Sequence, residues 1–155
     1  MTRHFVIACA VVAALATTAL SMAQGNPFVG TWKLNVAKSH YDPGPAPQSQ
    51  TRTWDSSGKV TVEGIDATGK PRTYGYTIKT DGMEYPATGA TNGADSVSSK
   101  PIDATALQAT FKRGRTPFEV ADFSVSEKGK RLTIVSHGTN ASGQTFKNVQ
   151  VWDKQ

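Results

Sequence analysis

The feature that most constrains this chain is a turn that keeps returning. Ser56-Ser57-Gly58-Lys59, Ala67-Thr68-Gly69-Lys70, Glu127-Lys128-Gly129-Lys130 and Ala141-Ser142-Gly143-Gln144 each place a glycine third in a short polar cluster. Glycine supplies the positive φ that tight hairpin turns require. Between the clusters the sequence alternates apolar and polar residues, which is the period of a half-buried strand. The likeness of the four turns reflects shared hairpin chemistry and implies no duplicated unit. Strands of this length joined by such turns predict an antiparallel, all-β fold.

The first strong strand is Phe28-Val29-Gly30-Thr31-Trp32-Lys33-Leu34-Asn35, with Trp32 and Leu34 on one side and Trp32 assigned to the core. Residues 36–41 are long enough for one helical turn. Asp42-Pro43-Gly44-Pro45-Ala46-Pro47 then denies a longer helix its backbone donors and reads as an extended connector. Further strands are expected over 51–55, 59–65, 72–79, 83–85, 96–100, 106–113, 118–126, 131–136 and 144–152. Asp81-Gly82 is the strongest short hairpin signal among them. In 118–126 the apolar phase slips by one residue, from Phe118 and Val120 to Ala121, Phe123 and Val125, which predicts a β-bulge near Val120. The sum is a single up-and-down antiparallel β-barrel of about eight to ten strands. Closure is expected because an open sheet this large would leave two long edges exposed.

The first 23 residues are expected to lie outside that domain. Arg3 and His4 precede an apolar run to Leu20, and Ser21-Met22-Ala23 offers the small residues of a signal-peptidase site, so 1–23 reads as a signal peptide and 24–155 as the barrel domain. The run is short and alanine-rich, with no basic cluster after it, so no transmembrane segment is expected once the signal is cleaved. Val6-Ile7-Ala8-Cys9 matches a lipoprotein box, but too few apolar residues precede the cysteine. The expected product is exported, periplasmic or secreted, and monomeric. Cys9, the sole cysteine of the 155-residue chain, leaves with the leader, so no disulfide can staple the fold. Loss of Arg3 takes the net charge from +5 to +4. That is mild, and Lys112, Arg113 and Arg115 form its only local cluster, so no nucleic-acid partner is expected.

Chemistry-bearing motifs are few. His40 and His137 come without partners at metal-ligand spacing, so no metal or cofactor is expected. Glu63, Glu84, Glu119 and Asp122 fall on or near strands, with Glu119 and Asp122 on opposite sides unless the bulge intervenes. Asn140-Ala141-Ser142 matches a glycosylation sequon but equally fits turn chemistry. Arg52 is the strand cation to watch. If it points inward with Trp54 it is a candidate anion anchor, although an outward, solvated position is the more ordinary home for a strand arginine. Tyr74 and Tyr76 share a face and suit a pocket wall, where aromatic surface is mixed with a few polar groups.

Asn26-Pro27-Phe28-Val29-Gly30-Thr31-Trp32-Lys33-Leu34 resembles the N-terminal strand of the lipocalin and fatty-acid-binding-protein (calycin) superfamily, whose Gly-x-Trp sits where the first strand closes the barrel base. Val149-Gln150-Val151-Trp152-Asp153 is similar to the last strand of that group, and the mature chain resembles small exported bacterial proteins described as lipocalin-like. The resemblance implies a lipocalin-like barrel with an interior ligand. Three departures qualify it. The proline-rich connector cannot build the two-helix lid of fatty-acid-binding proteins, the disulfide usual in secreted lipocalins is lacking, and their ligand-holding Arg-x-Tyr pair corresponds to Gln150 and Trp152, which removes charge-assisted capture at that place.

The expected function is therefore non-catalytic binding of a small, largely apolar ligand inside the barrel by Arg52, Trp54, Tyr74, Tyr76, Phe111, Gln150 and Trp152. The alternative is a barrel filled by side chains that acts through its outer face as an envelope-associated interaction module. An interior above roughly 300 Å³ would favour the ligand. Gly64 and Ala109, small residues at expected inward positions, lean toward room inside.

Overall fold

The structure, a computed structural model, describes residues 25–89 and 93–155; the signal peptide expected over 1–23 lies outside them. Eleven strands form one antiparallel sheet that closes on itself. They are β1 (Gly30–Leu34), β2 (His40–Asp42), β3 (Ser49–Trp54), β4 (Lys59–Ile65), β5 (Pro71–Thr77), β6 (Glu84–Thr88), β7 (Ser96–Asp103), β8 (Ala106–Arg113), β9 (Thr116–Ser126), β10 (Arg131–Thr139) and β11 (Thr145–Lys154). Neighbours pair in chain order from β3 to β11, and β1 joins β3 to β11 to complete the ring. Among the described residues no helix is long and apolar enough to cross a membrane.

The first strand is interrupted. Leu34 lies opposite Trp152, a single 3-10 turn over Val36–Lys38 follows, and β2 then resumes on the same partner with Tyr41 opposite Asn148. The one turn expected within 36–41 forms over Val36–Lys38, and the rest of that stretch runs into β2. Asn35 caps the turn by accepting from the Lys38 amide at 3.1 Å. The prolines after Asp42 carry the chain across the open end to β3.

Three of the four related turns have one geometry. Asp55, Asp66 and Asn140 each use the side-chain oxygen Oδ1 to accept from the amide and hydroxyl two residues on and from the amide four residues on. The glycine between them sits at positive φ. The fourth turn differs, with both Lys128 and Gly129 in the left-handed region. Asp81-Gly82 does not close a two-residue hairpin: β5 ends at Thr77, β6 starts at Glu84, and the Gly82 amide donates across to the Ser99 carbonyl at 3.0 Å. The bulge of β9 falls two residues earlier than expected. Phe111 faces Glu119 while Lys112 faces Pro117, so Phe118 is the extra residue. This puts Glu119 inside and Val120 outside.

Along β3, β4, β10 and β11 the inward residues run from small or polar at one end to large and apolar at the other. On β3 the order is Gln50, Arg52, Trp54; on β4 Gly64, Val62, Val60; on β11 Asn148, Gln150, Trp152; on β10 Gly138, Ser136, Ile134, Leu132. The apolar ends converge on a base core in which Trp32, Trp54, Leu107, Phe123, Leu132 and Trp152 are buried. Phe28 stacks on Trp54 at 5.0 Å between ring centroids, and Trp54 meets Phe123 edge-on at 5.9 Å. The Trp32 indole donates to the Phe28 carbonyl at 2.9 Å, fixing the N-terminal arm beneath the barrel. The opposite ends of the strands leave space.

Candidate binding cavity

That space is a cavity of about 440 Å³ opening at the end of the barrel away from the tryptophans. Its size falls in the range of small-molecule sites. The mouth is framed by Pro43, Pro45 and Pro47 and by the Asp66-Ala67-Thr68 turn. Two inward glycines near it sit where neighbouring strands approach closely. A Cβ at Gly64 would stand 2.1 Å from the Ser49 carbonyl oxygen, and one at Gly138 2.0 Å from that of Phe118, so neither position can carry a side chain while the strands stay this close.

The two walls differ in chemistry. Tyr74, Tyr76, Phe111 and Phe123 make an aromatic side, with Tyr76 edge-on to Phe111 at 5.2 Å and Tyr74 stacked near Tyr76 at 6.4 Å. Ser136, Asn148, Gln150 and Tyr41 make a hydroxyl and amide side on β10, β11 and β2.

Arg52 sits at the inner end between these walls, only 3% exposed. Its Nη1 donates to the Tyr76 hydroxyl. The guanidinium lies 4.6 Å from the Trp152 ring and 5.8 Å from those of Tyr76 and Phe123, so π-faces surround much of its charge. No ion pair between Arg52 and a carboxylate is found among the described residues; ion pairs found there join Arg72 to Asp66, Lys112 to Glu84 and Arg131 to Asp153. The Tyr41 and Tyr74 phenols do not supply an anion. Burial pushes the Tyr41 hydroxyl up to about 12, against the lowering pull of Arg52. Burial likewise holds Tyr74 well above the ordinary phenol value, again opposed by Arg52. A guanidinium stays charged at any pH at which the protein folds. The cavity therefore contains a desolvated cation whose Nε, together with the Tyr41 hydroxyl, the Ser136 hydroxyl and Oε1 of Gln150, is buried without a hydrogen-bond partner among the described residues.

The structure brings Arg52, Tyr74, Tyr76, Phe111 and Gln150 together on this cavity. Arg52 faces inward, contrary to the ordinary expectation for a strand arginine. Trp54 and Trp152 do not line it: Trp54 belongs to the base core, and Trp152 lies beneath the guanidinium. Alternation gives the face of a strand residue but not its depth along the barrel. Sequence reasoning missed Tyr41, because β2 is three residues long and its partner lies more than a hundred residues away. It also missed Ser136 and Asn148; the inward parity of β10 and β11 was the signal that could have found them. Glu119 lines the wall near Tyr74, whereas Asp122 is outside, accepting from Gln108 at 2.9 Å. His40 and His137 are exposed on outer faces. A second concavity, of about 590 Å³, lies beneath the base between turns, bordered by the solvent-exposed Asn26, Ser57 and Lys79.

A crystal structure of zebrafish ileal bile acid-binding protein complexed with cholic acid matches with a TM-score of 0.50 at 15% sequence identity, covering 83% of this chain and 99% of that one. The fold is a calycin barrel. No family model matches the sequence, and no curated protein does either. In the present barrel the proline connector spans the mouth, and the interior cation Arg52 stands on β3.

Proposed function

We propose that this calycin barrel is a non-catalytic binding protein for a small amphiphile, with the apolar body against the aromatic wall and an anionic head at Arg52. The single observation that carries the reading is the buried guanidinium, for which no carboxylate partner is found among the described residues. Isolating such a charge from water costs several kcal/mol unless a counter-charge joins it. A ligand carboxylate or similar anion would supply that partner through charge-assisted hydrogen bonds. The aromatic wall supplies the rest, at roughly 25 cal/mol per Å² of apolar surface removed from water. The cognate ligand is thus less purely apolar than composition suggests. A cavity of about 440 Å³ also favours this reading over a filled barrel acting through its outer face. The zebrafish protein, complexed with cholic acid, is an instance of this fold holding an organic acid.

The leader pattern in residues 1–23 supports export, so binding would occur in the periplasm or outside the cell, by a monomer. The test is native mass spectrometry of protein purified from its own host without detergent. The expected result is a stoichiometric adduct that disappears on denaturation and whose mass is that of an organic acid. A bare mass, together with failure to take up the anionic apolar dye anilinonaphthalene sulfonate, would contradict the proposal.

A further inference from the structure

The anionic head satisfies Arg52 but leaves the opposite wall unexplained. Ser136, Asn148 and Tyr41 stand directly across from one another on three neighbouring strands, and Gln150 lies two residues deeper on β11. Of these, the Ser136 hydroxyl, the Tyr41 hydroxyl and Oε1 of Gln150 are buried with no partner among the described residues, and Ser136 is only 2% exposed. Unmade hydrogen bonds of this kind cost far more than made ones contribute, so a wall that keeps several is matched to something that enters.

What enters can be narrowed by donor and acceptor logic. Oε1 of Gln150 is an acceptor, which a carboxylate cannot satisfy. An ammonium would be a donor, but it would face the Arg52 cation in a water-poor site. A hydroxyl donates to the amide oxygen and accepts from a neighbouring O–H, and it suits the amide in either orientation. Arg52 lies over the Trp152 ring, and Gln150 is the next inward residue on that strand, so this polar wall is close to the head group. We infer that the cavity is built for a hydroxylated acid, with a hydroxyl a few bonds from the anion, received by Gln150 and Ser136. The inference rests on the proposed binding role and adds the ligand class.

Calorimetric titration of the purified protein with decanoate, 3-hydroxydecanoate (each enantiomer) and 10-hydroxydecanoate tests it. The better 3-hydroxy enantiomer is expected to bind at least about tenfold tighter than the other two acids, the factor that follows from satisfying one buried polar group. In Gln150→Leu the preference is expected to fall to near one. Equal affinities in the unmodified protein would overturn the inference and leave the anion site standing, the wall then being served by water. Binding of none of the acids would overturn both this inference and the cavity's proposed role. The ratio in the unmodified protein decides by itself, so a poorly folding variant does not blunt the test.

Discussion

The two ends of this barrel are built from the same strands yet follow opposite rules. At the base, Trp32, Trp54, Trp152, Leu107 and Leu132 fill the interior, and rings meet rings at 5.0–5.9 Å. At the mouth the same strands present Gln50, Gly64, Gly138 and Asn148, and the space between them stays open. Arg52 marks the boundary, with Trp152 below it and the cavity above. Close packing and open space are thus separated along the strand axis. Burial of large apolar side chains holds the barrel closed at one end, and the surplus tolerates a desolvated charge at the other.

The most damaging way to break that division is to hollow out the base. Trp152→Ala should cost about 3–5 kcal/mol of unfolding free energy, the usual range for deleting a fully buried aromatic, and urea denaturation measures it. A mouth substitution should do the reverse. Arg52→Met keeps most of the volume and removes the unpaired charge, so the protein should gain about 1–3 kcal/mol of stability while losing its affinity for acids. Equal destabilisation by both variants would erase the distinction between the ends. A smaller effect is expected at the mouth-side hairpin, where Asn140 Oδ1 accepts from the Ser142 amide, the Ser142 hydroxyl and the Gln144 amide at 3.1, 2.8 and 2.9 Å. Asn140→Ala should cost about 1 kcal/mol, readable as a lowered thermal midpoint.

The gentlest probe is alkaline pH. The folded Tyr41 phenol is held near 12 against an ordinary 10.0, so from pH 10 to 12 the native state keeps a proton that the unfolded chain releases. Stability therefore falls as pH rises through that window, and Tyr74 acts in the same direction. Tyr41→Phe should flatten the decline in thermal melts taken between pH 9 and pH 11.5. An unchanged slope would place Tyr41 in water instead of in the cavity wall.

Much of the fold could be read from the chain because its signals are local. Alternation and glycine turns located ten of the eleven strands of the described residues near their observed positions, and the closing pair was anticipated from the edge problem. The shortest strand was lost: β2 has no period of its own and exists only because Asn148 and its neighbours receive it. Asp81-Gly82 misled for a related reason, since the Ser99 carbonyl, not the next strand residue, takes its amide. For the cavity, strand parity gathered Arg52, Tyr74, Tyr76, Phe111 and Gln150. It could not tell Trp54 from Arg52 or Trp152 from Gln150, because those pairs share a face and differ only in depth. Depth is set by the stagger with which β1 meets β3 and β11, a property of the closed ring.

Recognition of a negative charge by Arg52 inside the barrel is tested by comparing decanoate with decanol, its neutral counterpart, by calorimetric titration into the unmodified protein and into folded Arg52→Met. The acid should bind the unmodified protein roughly 10- to 100-fold tighter than the alcohol, as a hydrogen bond to a charged group implies, and the variant should lose this preference. Equal binding of acid and alcohol, or a preference that survives loss of the guanidinium, would contradict that recognition.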